Sequence, residues 1–139
     1  MTTTGNLWPE FALDEVIRSP KMILNEQADF LAKGTKNLLT ANIKSYVDNL
    51  GDLIHDFFIV VPNLNGYKYY LFSIAHDTVL LYPCFMKETE EEGVEWQKVN
   101  DENELLDVLK QIFNSERTKM VIRSLVSQSR ENLAPTVKF

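Results

Sequence analysis

The chain has 139 residues, of which 45 % are hydrophobic and 24 % charged, a balance that excludes a disordered or fibrous protein and suits one domain with its own core. A formal charge of −6, with Arg18, Arg117, Arg123 and Arg130 the only arginines, argues against nucleic acid, whose affinity comes from counterion release by basic groups. Cys84 is the single cysteine, so no intramolecular disulfide forms, and with no signal-like start and no apolar run near 18 residues the expectation is a cytoplasmic protein that avoids membranes.

Residues 1–18 carry Trp8, Phe11, Leu13, Val16 and Ile17 among acids and Pro9, and are expected to pack on the body as an irregular or one-turn segment. Ser19 followed by Pro20 is a helix start, because serine caps free amides and proline at the first position sacrifices no hydrogen bond. Leu24, Ala28 and Leu31 then recur at helical spacing, which predicts a helix over 20–33 stopped by Gly34. From Leu39 the period becomes two, with Ala41, Ile43, Ser45 and Val47 on one side, predicting a half-buried strand near a sheet edge.

Two runs, 53–61 and 67–76, are apolar on both faces and read as central strands. A fourth strand is predicted over 79–86, and a fifth over 94–99 beyond the tip Glu90-Glu91-Glu92-Gly93. Asp101 and Glu104 have capping-box spacing ahead of a helical stripe through Leu105, Leu109 and Ile112, and Ser115 caps a last helix, with 133–139 as a tail. The order predicts a single α+β domain, an antiparallel meander of about five strands over 38–99 with one N-terminal and two C-terminal helices. Either the three helices cover both sheet faces, or one face is left for a partner or ligand.

The isolated glycines exclude a phosphate-cradling loop, and the common hydrolase, zinc-protease and redox motifs are missing. The remaining catalytic or metal candidates are His55-Asp56 and His76-Asp77, which hold both histidines of the chain. A two-residue turn at Asn65-Gly66 would set His55 opposite His76, where they would share a metal or substrate in a metal-assisted hydrolase or small-ligand binder. A five-residue loop over 62–66, which Pro62 favours, would instead face His55 with Ser73 and put His76 on the other face. The longer loop is the expectation, with the histidines as strand-end residues near the surface and their aspartates as turn residues or local hydrogen-bond partners. Cys84, after Pro83 in an apolar stretch, reads as a buried structural thiol, and the aromatic residues read chiefly as core.

Charge is the most uneven feature. Residues 88–107 hold nine acidic side chains against Lys98, whereas Arg117, Lys119, Arg123 and Arg130 outweigh Glu116 over 115–130. The functional expectation is a noncatalytic protein-binding module, of the immunity, antitoxin or adaptor kind, using Glu90, Glu91, Glu92, Glu95 and Trp96 with Tyr67 and Tyr69 as anchors. Its partner would be another protein or a second copy of itself in a homodimer, with no cofactor.

Overall fold

The computed structural model describes residues 4–13 and 17–133, so the expected tail beyond Leu133, and Val16 of the N-terminal segment, lie outside the described residues. In chain order the elements are α1 (Pro20–Gly34), β1 (Thr40–Val47), β2 (Asp52–Val61), a 3-10 turn (Pro62–Leu64), β3 (Tyr67–Asp77), β4 (Cys84–Lys87), β5 (Gln97–Val99), α2 (Glu102–Phe113) and α3 (Glu116–Leu133). The strands form one antiparallel sheet in sequence order, with β1 at an edge, which is the predicted α+β arrangement.

Local chemistry explains the boundaries. Ser19 Oγ accepts the Met22 amide at 3.1 Å, and Asp101 Oδ1 accepts the Glu104 amide at 2.9 Å. Glu104 reaches back to the amide of Asn100 rather than of Asp101, closing the capping box one residue early. Gly34 is the last helical residue rather than the stop. The chain leaves α1 through Thr35, whose hydroxyl donates to the Leu31 carbonyl at 2.9 Å, and through Lys36 and Asn37 with φ of 52° and 65°.

Two expectations fail at sheet level. The fourth strand begins at Cys84 and not at 79, because the Asp77 carboxylate accepts the Val79 and Leu80 amides at 2.7 and 3.3 Å and turns that apolar stretch into an exposed loop. The fifth begins at Gln97 rather than 94. The N-terminal segment does not pack on the body either: Leu7, Trp8, Phe11, Leu13 and Ile17 are all exposed.

The connection between β2 and β3 is the five-residue loop, with Val61 opposite Tyr67 and Asn65 and Gly66 in left-handed conformations. That register runs as expected only to Phe58 opposite Tyr70; Phe57 then faces Phe72, leaving Leu71 as the extra residue of a β-bulge. Beyond the bulge the side chains of β3 change face.

One face of the sheet carries the core. Ile23 and Leu24 of α1, Leu105, Leu109 and Ile112 of α2, and Leu125 of α3 pack with Phe57, Phe72, Ile74 and Met86, and the Phe57 and Phe72 rings stack at 5.0 Å. The opposite face, presenting Tyr46, Asp56, Phe58, Tyr70, Ser73 and Phe85, adds none of these residues to the core cluster.

Candidate functional site

The bulge decides where the histidines go. With Phe57 opposite Phe72, His55 faces Ile74, and His76 falls two residues further along the same side. The expected separation is therefore corrected: the long loop is present, but the extra residue at Leu71 returns His76 to the face of His55, and their Nε2 atoms lie 3.0 Å apart.

Hydrogen-bond partners assign the protons of this pair. The Asp77 carbonyl 2.8 Å from His76 Nδ1 only accepts, so that nitrogen carries a proton and, in the neutral ring, Nε2 is an acceptor. His55 Nε2–H therefore donates to His76, and His55 Nδ1 accepts the Ser45 hydroxyl at 2.7 Å. Burial pushes the His55 pKa down to about 4, helped by the closeness of His76, which disfavours a second proton on the pair, and by the Lys21 ammonium. Both rings are buried, and every nitrogen is satisfied inside the fold.

The four candidates His55, Asp56, His76 and Asp77 do not converge. Asp56 points to the other face of the sheet, and the Asp77 carboxylate is committed to the turn amides of Val79 and Leu80. Among the described residues no group of three or more His, Cys, Asp or Glu side chains is placed to hold a metal ion. Cys84 is fully buried, and desolvation pushes its thiol up to about 12, which keeps it protonated and unreactive.

The helix-free face is organised differently. Ser73 Oγ donates to Asp56 Oδ1 at 2.5 Å, so the Tyr70 hydroxyl, 2.6 Å from Ser73 Oγ, is the donor in that contact. The same hydroxyl lies 3.2 Å from the Thr89 carbonyl, a longer alternative acceptor for its single proton, so the acidic loop over 88–96 sits beside the sheet. Burial raises the Tyr70 pKa to about 12, with the charges of Asp56 and Glu90 adding to the rise. Tyr46 is also raised, first by burial, then by the charge and hydrogen bond of Asp56, then by Asp48 and Glu90. Both tyrosines are neutral and sit in a negative field.

Within the loop, Lys87 Nζ lies 4.6 Å from the Trp96 ring centroid and 3.3 Å from the Glu91 carbonyl, so this cation is used internally, while on the same sheet face Lys44 Nζ lies 5.5 Å from the Tyr46 ring and Lys98 stands opposite Phe85. Glu90, Glu91, Glu92 and Glu95 are exposed and form no ion pair among the described residues. Tyr67 and Tyr69 are not part of this surface. They lie on the helix side beside α3, where Arg117 donates to the Tyr69 hydroxyl at 2.7 Å. Tyr46 and Ser73 are the residues of this face that the sequence did not single out; their signal was polar or aromatic residues alternating with core positions on β1 and β3. No known protein family, curated protein or solved structure matches this chain.

Proposed function

We propose that this chain is a noncatalytic protein-binding domain whose interface is the helix-free sheet face together with the loop over 88–96, and whose partner presents a basic surface. The supporting observation is continuity: the Tyr70 hydroxyl lies 3.2 Å from the carbonyl of Thr89, the residue before Glu90, so the aromatic face and the start of the acidic loop adjoin. Aromatic groups fixed at low entropic cost suit an interface centre, and surrounding carboxylates steer a cationic partner and reject acidic ones. The histidines, buried and hydrogen-bonded to Ser45, to each other and to the Asp77 carbonyl, serve the fold.

Affinity purification from native lysate with wild type and the combined E90Q, E91Q and E92Q variant tests this. The expected result is a basic protein whose recovery falls about tenfold in the variant, a loss of roughly 1.4 kcal/mol. Equal recovery of the same proteins by both forms overturns the reading.

A further inference from the structure

A second site lies on the helix side, away from that interface. Between α1, α3 and the C-terminal end of α2 is an open-mouthed cavity of about 210 Å³, floored by Phe57 and Leu71 and walled by Leu31 and Phe113. The bulge bears on it, since Leu71 as well as Phe72 is buried there and Leu71 reaches the lining. Thr118, 2 % exposed, lies in the wall and its hydroxyl accepts from Ser115 Oγ at 3.0 Å, so it is one of the few polar groups of the lining. Gln27 at the lining makes no side-chain hydrogen bond among the described residues.

We propose that this cavity binds a small, uncharged aromatic molecule of one or two fused rings. Size sets the scale, since an apolar void of roughly 150 Å³ stays dry and accepts benzene. Chemistry sets the class. A lining this apolar offers water few partners within the wall, disfavours a charge that would lose hydration on entering, and offers phenylalanine rings for edge and offset contacts. The free Gln27 amide is the polar group a ring N–H or O–H would meet.

The test titrates indole, and separately benzoate, into uniformly labelled protein while amide and methyl resonances are followed. Saturable shifts with indole centred on Leu31, Leu71, Phe113 and Thr118, a dissociation constant of roughly 0.1–1 mM and no response to benzoate are expected. Leu71→Phe, which fills the floor, should weaken indole at least about tenfold. Should that variant not fold, nuclear Overhauser contacts from bound indole to the Leu31 and Leu71 methyls of the wild type decide the matter. Absence of saturation, shifts centred on the helix-free face, equal binding of benzoate, or undiminished binding by a folded Leu71→Phe would overturn the proposal.

Discussion

Ser45, His55, His76 and the Asp77 carbonyl form a chain of hydrogen bonds in which each proton has one assigned direction. Removing its first member leaves His55 Nδ1 unsatisfied in the interior, so Ser45→Ala should cost about 1–3 kcal/mol in urea unfolding at neutral pH. The chain also fixes a pH dependence. His55 has a folded pKa of about 4 against 6.5 when unfolded, so the unfolded state takes up its proton first as pH falls. The contribution is complete above about pH 6.5 and is lost as pH drops toward 4, in total about 3 kcal/mol. Unfolding free energies at several pH values should therefore fall less steeply for His55→Gln than for wild type across that window; parallel curves would contradict the assignment. The sequence offered this pairing only through a two-residue turn and favoured the separated arrangement, because facing depends on residue parity and one bulged residue inverts it. The adjacent large apolar residues Leu71 and Phe72, both directed inward, are the only trace of the bulge in the pattern.

Elements were far more legible than contacts. The period of 3.6 after Pro20 and Asp101 and the period of two after Leu39 survive in α1, α2 and β1 because burial of one stripe or one face selects those spacings. Asp101 reads correctly as a cap, and Asp101→Ala should lower stability by about 1 kcal/mol, measured by thermal unfolding, since the Glu104 amide loses its acceptor. The apolar run at Val79 and Leu80 misleads for an equally physical reason. Two amides captured by the Asp77 carboxylate leave no ladder to join, and Pro83 has no donor to give one. Trp8 and Phe11 mislead likewise: apolar composition suggests burial, yet their rings pair with each other, 6.1 Å apart, and stay exposed.

At the scale of the molecule, three helices on one face of a five-stranded sheet leave the other face to its own side chains and to one acidic loop. The charge asymmetry was visible in the sequence, but its neighbour was not: Tyr67 and Tyr69 lie on the helix side, while Tyr46 and Tyr70 share the negative surface. Because the carboxylates are exposed, their attraction for a partner is screened by salt, and association should slow markedly between roughly 0.05 and 0.5 M ionic strength. Stopped-flow association rates read this; rates that do not change with salt would remove the acidic loop from the interface. The most direct measurement places a photoreactive benzoylphenylalanine at Phe85 on the helix-free face or at Arg123 on α3 and irradiates each form in native lysate. Adducts with a basic protein from position 85, suppressed by high salt and missing from position 123, are the predicted result. Adducts from position 123 alone, or none from position 85, would contradict the placement of the interface.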